Sequence, residues 1–273
     1  MRLDEEAQDA IALRLGDIAV EAGRLLQKFE CAEVARRVKP DGSPTTAADL
    51  AAEELILARL AEAWPDVPAI AEETAEAVVA GDLFFLVDPL DGTRDFLHGT
   101  GEYSVNIALV AGRRPVAAAV AAPALNRVWI AGRSAKAAPI REGGAPAAWS
   151  AIRVRPAPAE SLVALVSRRH GDTATEECLA TLSIGARRTA SSALKFCLIA
   201  SGEADVYVRC GPTMEWDTAA GDHILTRAGG CVVKAGGGPM TYGHHARGYR
   251  NGPFAALGDA ALATRLQLPS VAA

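Results

Sequence analysis

The chain has 273 residues with 28 Lys and Arg against 33 Asp and Glu, a formal charge of −5, and it is 50% hydrophobic but only 5% aromatic. That length and apolar content imply one large domain or two closely packed ones with an ample core, and they exclude intrinsic disorder. An acidic balance argues against long nucleic acid as a partner, and no stretch reaches the ~18 uncharged apolar residues of a membrane span. Five scattered cysteines without a C-x-x-C pair argue for reduced thiols in a cytoplasm rather than a disulfide framework or a zinc site. The first residues, MRLDEEAQDAIALRLGD, mix acids into apolar positions, unlike a signal peptide or a transit peptide. A cytoplasmic protein is expected, with peripheral membrane association left open. Charge is uneven: residues 1–150 carry 15 basic and 23 acidic side chains, and residues 151–273 carry 13 and 10. A cation site in the first half and anion contacts in the second would fit that asymmetry, as would ordinary solvated faces.

Ile11, Leu15, Ile18, Ala22, Leu25 and Phe29 recur at helical spacing and predict an amphipathic helix. After the polar turn KPDGSPTTAAD, Thr46 and Asp49 form a capping-box pattern at the start of a second helix. Leu50, Leu57, Leu60 and Trp64 are its expected apolar face, and Pro65 stops it. Two strands, Val67–Ala71 and Leu83–Val87, run into carboxylates, and Tyr103–Val110, Val116–Ala121 and Arg127–Ala131 read as an antiparallel meander. Residues 132–150 are rich in Ala, Gly and Pro and lack periodicity. The boundary is placed there, between a metal- and phosphate-binding α+β domain (1–140) and an α/β domain (150–273). In the second half strands near 162–166, 184–188, 205–209 and 231–234 alternate with helices near 173–182, 193–201 and 217–228, an α/β layered pattern.

The chemistry concentrates in LVDPLDGTRDF, residues 86–96. An apolar strand delivers Asp88, Pro89 bends the chain, and Asp91 returns on the same side with the Leu90 carbonyl between the two acids. That hard-oxygen set suits Mg²⁺, and the following N–H groups of Gly92 and Thr93 suit phosphate. The bland alternative is a turn whose Asp and Gly only satisfy local backbone groups. Glu72 and Glu73 end the strand PAIAEE, and Asp217 opens the helix expected in WDTAAGD; individually these read better as solvated acids and a helix cap than as ligands.

Taken together, AEE, DPLDGT and WDTAAG, with Lys39, Ser43, Pro44, Thr46 and Asp49 of the K-x-x-x-S-P-x-T-x-A-D stretch, resemble the lithium-sensitive, Mg²⁺-dependent phosphatase superfamily. This superfamily comprises inositol monophosphatases, fructose-1,6-bisphosphatases and bisphosphate nucleotidases. The resemblance spans residues 39 to 222 and implies a layered αβαβα sandwich with its site between the halves. It also implies that Glu72, Asp88, the Leu90 carbonyl, Asp91 and Asp217 bind two Mg²⁺ ions, with a third held weakly. Asp49 and Thr93 would polarise the attacking water, Glu72 would share in catalysis, and Gly92 and Thr93 would hold the phosphate.

VSRRHGD (166–172) and SSALKFCLIASGEADVYVRCGPTMEWD (191–217) are similar to the 3′(2′),5′-bisphosphate nucleotidase branch, in its bacterial CysQ-like form. The resemblance implies a small-molecule partner, adenosine 3′,5′-bisphosphate, hydrolysed to AMP in sulfur assimilation. Ser167, His170, Ser192, Lys195 and Arg209 would bind that substrate, and the protein would be a monomer or homodimer. Two separated phosphates need a second cationic locus, which Arg168, His170, Lys195 and Arg209 could supply; Lys195 could equally snorkel from a buried helix face. An inositol or sugar monophosphatase and a non-catalytic binder of phosphometabolites are the alternatives. His98, His244 and His245 are expected at the surface, and His223 as a structural residue in a helix.

Overall fold

The computed structural model describes residues 3–30, 36–38, 44–75, 79–168 and 171–269. In chain order the elements are α1 (Glu5–Phe29), β1 (Arg36–Val38), β2 (Pro44–Thr46), α2 (Ala47–Ala63), β3 (Ala69–Ala71), β4 (Leu83–Asp91) and α3 (Thr93–Leu97). They continue with β5 (Ser104–Ala111), β6 (Arg114–Ala122), β7 (Arg127–Ala131), β8 (Ala135–Pro139), β9 (Ser150–Ala151), β10 (Leu162–Val166), α4 (Thr173–Ala180) and β11 (Ile184–Thr189). The chain closes with α5 (Ser192–Ala200), β12 (Val206–Arg209), β13 (Thr213–Met214), α6 (Ala219–Arg227), β14 (Cys231–Lys234), β15 (Arg250–Asn251) and β16 (Phe254–Leu257).

Local chemistry explains the first two helices. Asp4 caps α1 by accepting from the Ala7 N–H at 2.9 Å, and Glu5 and Glu6 face the positive end of the helix dipole. At the start of α2 the capping box forms as its sequence predicts, with the Thr46 hydroxyl accepting from Asp49 N and Asp49 accepting from Thr46 N. The buried face of α2 differs from the expected one. Leu60 is buried as expected, but Leu50 is 45% exposed, and Ala48, Ala52 and Ile56 share the buried face. Alanines let α2 approach the sheet closely, a preference that counting large apolar residues misses.

β3 to β9 form one sheet in sequential order, parallel only between β3 and β4. Its strands are buried on both faces: Phe85, Val87, Ile107 and Leu109 meet α1 and α2, while Phe84, Leu86, Ala108 and Val110 belong to the core around α5 and α6. The second sheet runs β11-β10-β12-β16-β14, with β16 antiparallel between β12 and β14. Its other face packs Leu162, Ala164, Val206 and Val208 against Cys178 and Leu179 of α4. The layers are therefore α1/α2, sheet, α5/α6, sheet, α4, a mixed α/β sandwich. Three features depart from the sequence reading: residues 132–150 contribute β8 and the start of the edge strand β9, β16 is a further core strand, and α6 starts at Ala219, so Asp217 precedes it and does not open it. Among the described residues no helix is long and apolar enough to cross a membrane.

Candidate active site

The site begins with a register shift. In a regular strand Asp88 and Asp91, three apart, would point to opposite faces. Here Asp88 pairs with Asn106 and Asp91 with Ser104, so Pro89 and Leu90 together oppose the single residue Val105. The bulge resets the alternation and brings both carboxylates to the face that carries Ser104 and Asn106. The Leu90 N–H donates to Asp88 Oδ1 at 3.1 Å. Asp91 Oδ2 accepts from Asn106 Nδ2 at 3.3 Å and from the Ala193 N–H at 2.8 Å. The second of these bonds reaches in from α5, so the helical layer between the two sheets orients an acid of the first sheet.

Gly92 follows at φ +90°, and a Cβ there would stand 3.0 Å from the Glu102 carbonyl oxygen. Only glycine accepts this turn without strain. It starts α3, whose first residue is Thr93. The Thr93 hydroxyl lies 3.1 Å from Asp49 Oδ1 and 3.2 Å from the Leu90 carbonyl oxygen. Asp49 Oδ2 is held in turn by Thr46 N at 2.8 Å and Thr46 Oγ1 at 2.5 Å. Of the two strand-end glutamates, Glu73 accepts from Thr45 Oγ1 at 2.7 Å, while its N–H donates to the buried Glu53. The charge of Glu72 acts on Asp88 and Asp217.

Asp217 accepts from the Met214 N–H at 2.8 Å. Its turn is braced by Asn251 Nδ2, which donates to Met214 O and Thr218 Oγ1, and by Glu215. The Glu215 carboxylate is fully buried and meets His244 Nδ1 at 2.5 Å. His244 is thus a brace for this turn, not the free surface residue its sequence context suggests. His223 is structural as expected: burial pulls it down to about 3, neutral, with Nε2 3.1 Å from Gly132 O.

A cleft of about 210 Å³ joins these parts. Asp91, Gly92, Thr93 and Asp217 line it together with Ser167, Ser191, Lys195 and Arg209. Lys195 is buried at 1% exposure with Nζ 4.5 Å from the Tyr207 ring centre. Burial pulls its ammonium down to about 7, opposed by the Asp91 charge and assisted by Arg209. Arg209 donates to Pro212 O at 3.1 Å and Ser167 Oγ at 3.4 Å, and its buried Nε has no partner among the described residues. Ser191 Oγ is likewise buried and unpartnered. Ser191 is a lining residue that the sequence reading did not single out; the Ser-Ser doublet at a helix start was the available signal. His170, Lys39 and Ser43 lie outside the described residues, as does the side chain of Ser192. Arg168 pairs with Glu102 at 2.8 Å on the rim.

The electrostatics ask for a cation. Burial raises Asp88 well above the usual carboxylate range, and the charges of Glu72, Asp91 and Asp217 push it further. Burial raises Asp217 in the same way, followed by the charges of Asp91 and Glu72, and Asp91 is raised chiefly by burial. Among the described residues no three His, Cys, Asp or Glu groups stand together as a preformed metal cage. The donor set is nonetheless all oxygen and predominantly anionic, which suits a hard divalent ion.

The sequence pattern described as inositol monophosphatase family matches residues 6–266. The chain is 38% identical over 209 residues to the 3′(2′),5′-bisphosphate nucleotidase CysQ of Escherichia coli K12, covering 75% of this chain and 81% of that one. Its fold is similar to the crystal structure of CysQ from Bacteroides thetaiotaomicron, with TM-score 0.76, 31% identity, and 91% and 97% of the two chains covered. It is also similar to the IMPase of Thermotoga maritima, with TM-score 0.72, 25% identity, and 88% and 89% covered.

Proposed function

The chain belongs to the inositol monophosphatase family, and from that premise we propose that this phosphatase removes the 3′-phosphate of adenosine 3′,5′-bisphosphate, giving AMP and phosphate. The observation that carries the reading is the shared cleft: Asp91, Thr93 and Asp217 line it beside two cations, Lys195 and Arg209. A monophosphate has no use for the second pair; a bisphosphate does.

Glu72, Asp88, the Leu90 carbonyl, Asp91 and Asp217 would hold Mg²⁺. When bound, Mg²⁺ lowers the pKa of water and neutralises the charge of an in-line displacement at phosphorus. The remaining work falls to the protein. Thr93 donates its hydroxyl proton to Asp49 Oδ1, which leaves its lone pairs to accept a proton of the attacking water and orient it. Asp49 is fixed for that task by Thr46. The N–H groups of Gly92 and Thr93 steady the reacting phosphate, so most of the catalysis is positioning and charge neutralisation. Lys195 and Arg209 grip the 5′-phosphate, with Ser167, Ser191, Ser192 and His170 completing the pocket. A role in sulfur assimilation and the binding of two ions, with a third held weakly, belong to the same proposal.

The test is a ratio. One charge-assisted contact to phosphate is worth about 1.5–3 kcal/mol. Arg209→Ala is therefore expected to lose about tenfold to a hundredfold in kcat/KM on adenosine 3′,5′-bisphosphate, with little change on adenosine 3′-monophosphate or inositol 1-phosphate. Equal losses on both substrate types would remove Arg209 from the second phosphate. A wild-type preference for the monophosphate would favour the inositol monophosphatase reading.

A further inference from the structure

Cys178 and Cys210 stand with their sulfurs 3.8 Å apart, and both thiols are free. Cys178 is buried in α4, and Cys210 is the half-buried residue that follows β12 and Arg209. Closing this contact to the ~2.05 Å of a disulfide asks for a shift of about 1.8 Å, shared between two side chains. The residue next to Cys210 in the chain is Arg209, the last of β12. The Cys210 N–H already donates to Thr175 Oγ1 at 3.1 Å, and that hydroxyl donates to Asp172 Oδ2 at 2.8 Å, which ties the end of β12 to the first turn of α4. The guanidinium of Arg209, by contrast, is held by one backbone carbonyl and one long bond to Ser167.

We propose that Cys178 and Cys210 form an oxidisable dithiol, a modification site for a hydroperoxide, whose closure displaces Arg209 and weakens the cleft's hold on a second phosphate. The dithiol stands on its own geometry; its kinetic effect rests on the nucleotidase reading above. One peroxide is consumed per bridge. The Cys210 sulfur, as thiolate, attacks a peroxide oxygen, the O–O bond breaks, and the alcohol (water, for hydrogen peroxide) leaves, giving a sulfenic acid. The Cys178 sulfur then displaces the hydroxyl, which departs as water with the Cys178 proton. Two electrons pass from the two sulfurs to the peroxide. Cys210 reacts first because it is the less buried residue of the pair. Burial, followed by the neighbouring Cys210, pushes the Cys178 thiol up to about 12, so its role is that of the resolving partner brought in by proximity.

The experiment treats the full-length protein with hydrogen peroxide, removes the excess with catalase, and follows two readouts. Non-reducing peptide mass spectrometry is expected to find a Cys178–Cys210 pair lighter by two hydrogens. In parallel, kcat/KM on adenosine 3′,5′-bisphosphate should fall on the order of tenfold, the loss of one charge-assisted contact, while adenosine 3′-monophosphate hydrolysis holds and dithiothreitol restores the loss. Cys178→Ser, with Cys178→Ala as a second variant, should resist oxidation in both readouts. No bridged peptide in an active enzyme, or an equal loss of activity in the Cys178 variants, overturns the dithiol switch. A bridged peptide in a protein that hydrolyses neither nucleotide when reduced upholds the dithiol and overturns the nucleotidase reading and the Arg209 coupling.

Discussion

Asp88 concentrates the electrostatic cost of the site in one residue. Its folded pKa is raised by burial and then by Glu72, Asp91 and Asp217. A carboxyl with a raised folded pKa contributes stability below its ordinary range of about 4, and that stability is lost as pH rises through the folded value. The metal-free protein is therefore expected to lose melting temperature as pH climbs from the acid side towards neutrality, and Asp88→Asn should flatten that dependence. Each kcal/mol of repulsion relieved would raise Tm by about 2–4 °C in a protein of this size. The same variant should lose at least about 10²–10³-fold in kcat, the usual cost of one preorganised electrostatic contact. A less stable or nearly fully active Asp88→Asn would count against the assignment. Thr93 offers a complementary test, because orienting a water matters chiefly in the transition state. Thr93→Ala should lower kcat with KM little changed, and Thr93→Ser should recover part of the loss. A rise in KM alone would make Thr93 a binding residue.

At the scale of elements, the WDTAAG stretch combines a carboxylate with a packing device. A Cβ on Gly221 would stand 2.5 Å from the ring of Phe196, so glycine lets α6 cross α5 closely between the two sheets. Gly221→Ala is expected to cost about 1–3 kcal/mol through overpacking. Urea unfolding should show a lower midpoint at an unchanged m-value; an unchanged midpoint would mean that the helices part easily. What the sequence made legible follows from local physics. DPLDGT was readable because Pro89 and Gly92 punctuate an apolar strand, and the Thr46–Asp49 capping box because its bonds are three residues apart. The strands β8 and β9 were hidden because they carry no alternation, β8 being held by backbone pairing to β7 and β9 by pairing to β8. The exposure of Leu50 was hidden for the converse reason, since alanines took the buried face. Ser191 could be read only as one half of a Ser-Ser doublet, since its burial at the cleft is fixed by where α5 begins.

The whole molecule is tied together across its layers by charge as well as by packing. Arg114 of β6 meets the buried Asp222 of α6 at 2.8 Å and also reaches the Met240 carbonyl, and Tyr242 donates to the same carboxylate at 2.9 Å. Because the proposed Mg²⁺ ligands come from both sides of this junction, metal binding should stabilise the molecule as a unit. Mg²⁺ at a hundredfold over its Kd is worth about 2.7 kcal/mol to the native state. Chelation is therefore expected to abolish phosphate release and lower Tm, and added Mg²⁺ to restore both; a Tm indifferent to Mg²⁺ would argue that these residues do not hold the metal.

The position of β16 has a consequence for the order in which this protein is made. Residues 254–257 insert between β12 and β14, strands that leave the ribosome some 50 and 20 residues earlier. Until β16 arrives, β12 has an open edge where β16 will pair, and Arg209 at its end has no finished sheet behind it. The acids of β4 have by then long been synthesised, but their cationic counterpart must wait for nearly the last strand. A growing chain of this protein thus carries the anionic half of its cleft well before the half that bears Arg209, and an exposed strand edge in the interval is an invitation to pair with a neighbour.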